Sequence, residues 1–472
     1  MRGRGSPASA RRALAAGYIG VGLLAAVSAT AQAQVAVPSA GTPAAPASGS
    51  PKNGSAALAD AAAVPVLTLA EAIRTALETN RNVGIARRRV GIAQDLRKEA
   101  NARYFPTVTV DASTAQRDNE PLAKLNVGGR LAIVPQGDEY TAVTHSALVL
   151  PLYDFGRTSS ASEAARLGVD AAGLNAQRTE QDIALQVSQA YYRVLQAQKI
   201  RQVVLDSIAT VDLQLKDAQA FFAQGIVASS DVLSAEVRRA ERQQDLITAE
   251  ANLQVALATL NRVMGQDLNR KQRLQDVSGQ PDWSGNYDTL VRTAHESRSD
   301  LKAARLQMLS SEADLQAARA ENWPRLSAFA EYDTNSTSFF VHKEWTTTGV
   351  AFSMTLFSGG AQSATIEQRQ KEVLQAQDQF LEQQDNISLD VKQAYLTAGQ
   401  TFDSVQVTEK EQQLAVENLR IYRDQYSQGL VTSTDVLTAE DVASRARSNY
   451  YQSLYDYYTA LARLDNVVGQ SK

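Results

Sequence analysis

The sequence predicts an α+β membrane protein in which long helices and short β-hairpins occur twice along the chain. Three observations predict it: an internal duplication, two very long segments without proline, and strand-like segments that alternate apolar with small or polar residues. The chain has 472 residues, 44% of them hydrophobic, which is enough for a substantial core. Lys and Arg number 47 against 51 Asp and Glu, and this balance argues against a nucleic-acid-binding protein.

Residues 1–33 have the features of a secretory signal peptide. Several arginines precede an apolar run over residues 13–29, and Ala31 and Ala33 fit the small-residue cleavage pattern. A single membrane anchor is the alternative, but the run is short and interrupted by glycine. We therefore expect an exported protein, in which residues 34–66, rich in Ala, Pro, Ser and Gly, form a flexible leader.

The rest of the chain contains an internal duplication. Residues 225–236 (GIVASSDVLSAE) recur 204 residues later as residues 429–440 (GLVTSTDVLTAE). The same offset pairs Tyr191 with Tyr395. The repetition predicts two structural repeats joined by a linker. The expected bounds are 67–266 for the first repeat, 267–287 for the linker and 288–470 for the second repeat.

Each repeat is expected to contain one helix, a β-hairpin and a long helical hairpin. The first helices are predicted over 68–103 and 288–321. Residues 157–224 contain no proline and would form a helix roughly 100 Å long. Their apolar residues recur every three or four positions, so these helices need partner helices along their length. Gly225 and Gly429 are predicted to end the long helices in a left-handed conformation.

The strand-like segments predict four strands per chain, arranged as two hairpins. In residues 349–356, Val350 and Phe352 share one face and small or polar residues the other. The first repeat has additional residues around 118–140, whose composition is typical of a loop.

Lipid cannot satisfy the edge of an open sheet, and small bacterial barrels begin at about eight strands. Four strands therefore span a membrane only if two or more chains share one barrel. A soluble hairpin on a helical protein is the alternative.

The duplicated plan resembles the TolC-type outer-membrane factor family, which includes outer membrane efflux and type I secretion channels. The resemblance covers residues 66–470 and includes the helix start LAEAIRTALETN at 69–80 and the repeated Gly-aliphatic-Val-x₃-Asp-Val-Leu turn. It implies a homotrimer with a shared 12-stranded β-barrel, four strands per chain, in the outer membrane. It also implies a 12-helix α-barrel of long antiparallel coiled-coil helices that extends into the periplasm. The chain departs from the family at Arg81 and Ser299, where family members often have proline.

The resemblance further implies partners and candidate site residues. The partners would be a periplasmic adaptor (membrane fusion) protein and an inner-membrane transporter of ABC or RND type. The periplasmic gate candidates are Asp231, Asp435 and Tyr426, although the two aspartates could instead stabilise helix N-termini. Candidates for docking the adaptor lie in the two turns, where local packing is the alternative role. They are Gly225, Ile226, Val227, Gly429, Leu430 and Val431.

The sequence indicates no catalytic chemistry. His145, His295 and His342 are isolated from one another, and no phosphate-binding loop or cysteine nucleophile occurs. We therefore expect neither enzymatic activity nor a cofactor or metal ion.

The predicted function is an outer-membrane exit duct through which cargo passes passively, driven by the inner-membrane transporter. The absence of a cysteine for lipidation favours type I secretion of a polypeptide such as a toxin. A duct for small-molecule or multidrug efflux is the alternative. A soluble periplasmic coiled-coil adaptor is the alternative from another class of protein.

Overall fold

The computed structural model describes residues 66–277, 279, 283 and 285–470. The predicted signal peptide and residues 34–65 of the predicted leader lie outside them. The described residues form α-helices that belong to both repeats. These helices are α1 (Leu69–Thr79), α2 (Arg81–Ala102), α3 (Arg157–Ala223), α4 (Ser229–Val263), α5 (Tyr287–Ser297), α6 (Ser299–Ala320), α7 (Ala361–Ser427) and α8 (Ser433–Val468).

The β-strands form one four-stranded sheet and two small pairs. The strands are β1 (Val66–Leu67), β2 (Thr107–Gln116), β3 (Leu122–Val127), β4 (Arg130–Pro135), β5 (Tyr140–Tyr153), β6 (Arg273–Leu274), β7 (Arg325–Asn335) and β8 (Glu344–Ser353). The large sheet is antiparallel with the order β2-β5-β7-β8, so β2 and β8 are its edges. The strand β1 pairs in parallel with β6, and β3 pairs with β4.

The chain divides into two compact units. One unit contains the four-stranded sheet and the β3–β4 hairpin, and the other contains β1, β6 and most of the long helices. In the described residues, no helix has both the length and the hydrophobicity needed to cross a membrane.

The four-stranded sheet confirms the two predicted hairpins and their alternation. Leu150 pairs with Ala328, which pairs with Val350, so these residues share one face. Val350 and Phe352 on this face are strongly exposed in the single protomer. The predicted strand over 349–356 ends earlier, at Ser353, because its partner strand begins at the opposite residue, Arg325.

The prediction of a loop around residues 118–140 is wrong for part of this range. It contains the β3–β4 hairpin, whose strands are joined by Gly128 and Gly129. Both glycines have positive φ, at 60° and 85°, as the two-residue type I′ turn requires. Adjacent glycines are common to loops and tight hairpins, and loop composition alone did not distinguish the two.

The single helices predicted over 68–103 and 288–321 are each broken. Asn80 and Arg298 have extended backbone and separate α1 from α2 and α5 from α6. The Asn80 side chain accepts a hydrogen bond of 2.7 Å from the amide of Asn82 and donates one of 2.7 Å to the carbonyl oxygen of Val263. The break is therefore stabilised by the distant end of α4, which local periodicity does not reveal.

The predicted linker over 267–287 is partly regular, because it contributes β6. The hydroxyl oxygen of Tyr191 lies 2.9 Å from the carbonyl oxygen of Leu67 and 2.6 Å from that of Gln275. Leu67 ends β1 and Gln275 directly follows β6, and Tyr191 is 1% exposed. A core helix thus holds the small parallel pair in place.

Candidate gate at the ends of the long helices

The turn after each long helix has the same backbone hydrogen bonds. The amides of Gly225 and Ile226 donate to the carbonyl oxygens of Phe222 and Phe221, both at 2.9 Å. Gly429 and Leu430 repeat this pattern in the second repeat, and Gly225 and Gly429 have φ of 70° and 72°. This is the Schellman motif, which requires a left-handed residue that only glycine adopts without strain. The predicted left-handed caps are confirmed.

The two candidate gate aspartates, Asp231 and Asp435, differ in their local bonding. Asp435 forms a capping box with Thr432, whose amide donates to the carboxylate at 2.9 Å. The Thr432 side chain and its amide both lower the pKa of Asp435. The equivalent helix α4 begins after Ala228, which supplies no side-chain cap, and Asp231 lies in its first turn. Asp435 therefore has a clear capping role that Asp231 does not share.

Tyr426 lies beneath the turns and is 5% exposed. Its ring packs on Phe221 with centroids 5.6 Å apart, and it belongs to an apolar cluster that includes Leu419 and Val436. Its buried hydroxyl makes no hydrogen bond of standard geometry within the described residues.

The surroundings of the Tyr426 hydroxyl are polar and negatively charged. Burial raises the pKa of Tyr426, and the charges of Asp231 and Asp217 raise it further, while the nearby side chains of Ser433 and Gln214 lower it less. The structure therefore brings Tyr426 and Asp231 into electrostatic range without a direct hydrogen bond between them.

The apolar turn residues divide into exposed and half-buried members. Ile226 and Leu430 are 62% and 68% exposed. Val227 and Val431 are half-buried, and Val431 packs against the Tyr426 cluster. The outer residue of each pair is therefore exposed, while the inner residue is partly covered within the protomer.

A charged cluster farther along the helices was not predicted. Glu440 of α8 is buried and accepts a hydrogen bond from the Ser207 hydroxyl of α3. Arg242 of α4 contacts Asp441 of α8. The sequence carries no signal for this burial, because Glu236 occupies the equivalent repeat position and is exposed. No group of His, Cys, Asp and Glu within the described residues has an arrangement able to hold a metal ion.

The family model for outer membrane efflux proteins matches residues 72–266 and 290–470, which is most of the chain. The chain belongs to this family. Its members are outer-membrane channels that extend into the periplasm, and we assign the chain to the outer membrane on this basis. Channels of the family are trimeric, are passive rather than enzymatic, and work with adaptor proteins and inner-membrane transporters. Membership of the outer membrane efflux protein family is inconsistent with the alternative prediction of a soluble periplasmic adaptor.

Individual relatives are distant in sequence and close in fold. The chain is 21% identical to the outer membrane protein TolC of Escherichia coli over 307 residues, which are 62% of this chain and 62% of TolC. It is 22% identical to TolC of Vibrio cholerae over 299 residues, 62% of this chain and 68% of that protein. The chain therefore matches less than two thirds of the length of the E. coli relative.

Solved channel structures share the α+β fold over most of the chain. The outer membrane channel CmeC of Campylobacter jejuni superposes with a TM-score of 0.72 and 14% identity, over 85% of this chain and 86% of CmeC. The outer membrane protein VceC of Vibrio cholerae gives a TM-score of 0.70 and 18% identity, over 85% of this chain and 96% of VceC. The predicted channel fold is confirmed.

Proposed function

We propose that three copies of this chain form a duct across the outer membrane, through which cargo passes passively. The carrying observation is the sheet β2-β5-β7-β8, whose edge strands β2 and β8 have no partner within the described protomer. Lipid cannot satisfy their backbone groups, so in a membrane each β8 must pair with the β2 of a neighbouring copy. Three such sheets close into one barrel.

The helices support the same assembly. A row of exposed apolar residues, which we call the α7 stripe, follows one side of α7 at intervals of seven, eight or eleven residues. Its members are Leu374, Leu381, Leu389, Leu396, Val407, Leu414 and Ile421. Such a row is the seam of a coiled coil, and helices of a neighbouring protomer would bury it.

The residues of the two turns would form the entrance of the proposed duct. Asp231 and Asp435 would form a ring of carboxylates at the tunnel mouth, and Tyr426 would support the turns in the closed arrangement. The two turns, at 225–227 and 429–431, would dock on the adaptor, with Ile226 and Leu430 providing the exposed contacts. An inner-membrane transporter of ABC or RND type, joined through the adaptor, would supply the energy.

For the cargo we favour an exported polypeptide, as in type I secretion. The support is that the sequence contains no cysteine to which lipid could be attached. Small-molecule efflux is the alternative. Deleting the gene in the native host separates the two: loss of a secreted polypeptide with unchanged dye resistance supports secretion, and the reverse result supports efflux.

The duct itself is tested with the full-length protein. Outer membranes are extracted with and without detergent, the mass of the particle is determined, and the particle is reconstituted in planar bilayers. We expect a detergent-requiring trimer that forms discrete pores. A water-soluble monomer, or a trimer that carries no current under any condition, would overturn the proposal.

A further inference from the structure

We propose that Glu440, Ser207, Arg242 and Asp441 form a clasp that holds α3, α4 and α8 together in the closed duct and separates when the duct opens. This inference rests on the proposed duct function, and it deepens it by assigning residues to the closed state that lie outside the turns. It joins the two repeats, because Ser207 and Arg242 belong to the first repeat and Glu440 and Asp441 to the second.

Burial is the first observation that carries the clasp. Glu440 and Ser207 are each 2% exposed, and the Ser207 hydroxyl donates a hydrogen bond to one carboxylate oxygen of Glu440. The other oxygen, Oε2, is buried and has no hydrogen-bond partner within the described residues. A buried carboxylate with one oxygen unsatisfied is costly when it is ionised.

Arg242 offsets the negative charge of the Glu440 carboxylate only in part. Its Nε lies 3.7 Å from Glu440 Oε2, which is too far for a hydrogen bond, and this Nε is also unsatisfied. The same guanidinium contacts Asp441 and lies 2.8 Å from Asp245. Asp441 has a second partner, Arg238, at 2.8 Å. The clasp therefore has a well-paired half at Asp441 and a poorly paired half at Glu440.

The charges facing Glu440 determine how the clasp responds to pH. Burial raises the pKa of Glu440, and the charge of Asp441 adds to this, while Ser207, Arg242 and Arg238 lower it by less. If opening exposes Glu440 to water, its pKa falls towards the ordinary value. Protonation of Glu440 therefore stabilises the closed duct, and that stabilisation is lost as the pH rises through the raised pKa.

The internal duplication provides a matched control. Glu236 occupies the position in α4 that Glu440 occupies in α8, but it is exposed. Glu236→Gln makes the same chemical change without touching the clasp.

The test compares four proteins as full-length trimers in planar bilayers, between about pH 5 and pH 8. In Arg242→Met, the ionised Glu440 loses its nearest cation, and we expect the open probability at high pH to rise about tenfold. The increase should vanish at low pH, where Glu440 is protonated and Asp441 still has Arg238 as its partner. Adding Glu440→Gln to Arg242→Met should restore closure at high pH, and Glu236→Gln should behave as the unmodified protein. Recovery of closure by Arg242→Met at low pH also shows that the single variant is folded.

Hydrogen exchange of the backbone amides over residues 433–445, measured on the detergent-solubilised trimers, gives a second readout that needs no conduction. We expect faster exchange in Arg242→Met at high pH only, and slow exchange in the double variant. If Arg242→Met equals the unmodified protein at every pH, or if the double variant stays as open and as mobile as the single one, the clasp is wrong. If no protein conducts but the exchange pattern appears, the clasp stands and the duct function fails.

Discussion

Gly265 lies so close to Thr79 that a β-carbon on the glycine would be 2.7 Å from the Thr79 carbonyl oxygen. The second repeat has the same relationship in a looser form, because a β-carbon on Gly469 would lie 3.2 Å from Cβ of Ser297. In both repeats, the end of a return helix packs against the break between two shorter helices. The two contacts show that these breaks are part of the packing of each repeat.

The contact at Gly265 predicts a large loss of stability for Gly265→Ala. Its φ of 69° costs about 1 kcal/mol with a β-carbon, and the clash with Thr79 adds to this cost. Gly225→Ala is the control, because its φ is 70° but no atom lies within 4 Å of the added carbon. Thermal unfolding of detergent-solubilised protein should show a clearly lower Tm for Gly265→Ala than for Gly225→Ala. Equal shifts would mean that Thr79 moves away without cost.

Tyr191→Phe should loosen the β1–β6 pair. The substitution removes the hydroxyl that lies within hydrogen-bonding distance of Leu67 and Gln275, and burial raises the pKa of that hydroxyl to about 12. We expect a loss of about 1–2 kcal/mol in unfolding free energy and faster amide exchange at Gln275. Tyr395→Phe is the repeat-matched control, because the Tyr395 ring packs on Trp283 and Tyr287 and is retained in phenylalanine. Unchanged exchange in Tyr191→Phe would refute the anchoring role.

The contact between Arg298 and Asp300 predicts that Arg298→Met reverses the dependence of stability on pH. Burial alone would raise the pKa of Asp300, but Arg298, through bonds of 3.0 and 2.5 Å, lowers it below the ordinary value. The resulting stability is present above the ordinary pKa of an aspartate and is lost as the pH falls through the lowered value. In Arg298→Met, the half-buried Asp300 lacks this partner, so acidification should stabilise the variant over the range where its carboxylate becomes protonated.

At neutral pH, Arg298→Met should lose about 3–5 kcal/mol of unfolding free energy. Unfolding by denaturant across a series of pH values measures both effects. Arg420→Met, which removes an exposed partner of Glu417 and Asp424, should leave the stability unchanged. Parallel pH profiles for Arg298→Met and the unmodified protein would contradict the assignment.

Much of the fold was predictable because its signals are periodic and local. Gly225 and Gly429 end their helices as predicted, and Val350 and Leu150 share a sheet face as alternation requires. The breaks at Asn80 and Arg298 were not predicted. Each depends on a contact with residues far along the chain, such as the hydrogen bond from Asn80 to Val263.

The candidate site was predictable only in part. The duplicated turns located Asp231 and Asp435, but sequence does not show that Asp435 is tied into a capping box while Asp231 is not. Glu440 was missed because the segment that ends at it, residues 429–440, closely matches the segment that ends at its repeat partner Glu236. Only tertiary packing distinguishes a buried carboxylate from an exposed one in such a pair.

Leu396→Glu in the α7 stripe should weaken the trimer. Leu396 is 56% exposed in the single protomer, and a buried charge at the proposed seam would be unpaired. Native mass spectrometry in detergent should show a shift from trimer towards monomer. Leu396→Met, which keeps an apolar side chain of similar volume in the stripe, should remain trimeric. If Leu396→Glu also remains trimeric, the stripe is not a subunit contact.

The proposed gate predicts a change in conductance when Asp231→Ala is combined with Tyr426→Phe. Removing the charge and the buried hydroxyl should weaken the packing beneath the turns and raise the single-channel conductance in planar bilayers. Asp435→Asn retains a side-chain acceptor for the capping box and serves to compare capping with gating. An unchanged conductance in the double variant would remove Asp231 and Tyr426 from the gate.

The difference between Glu236 and Glu440 limits the symmetry of the assembled channel. A trimer of two identical repeats would present six equivalent helical hairpins around its axis. Here one hairpin of each protomer contains a buried carboxylate and the other an exposed one, so the ring alternates between two kinds of hairpin. The mouth of the proposed trimer would therefore have threefold rather than sixfold character.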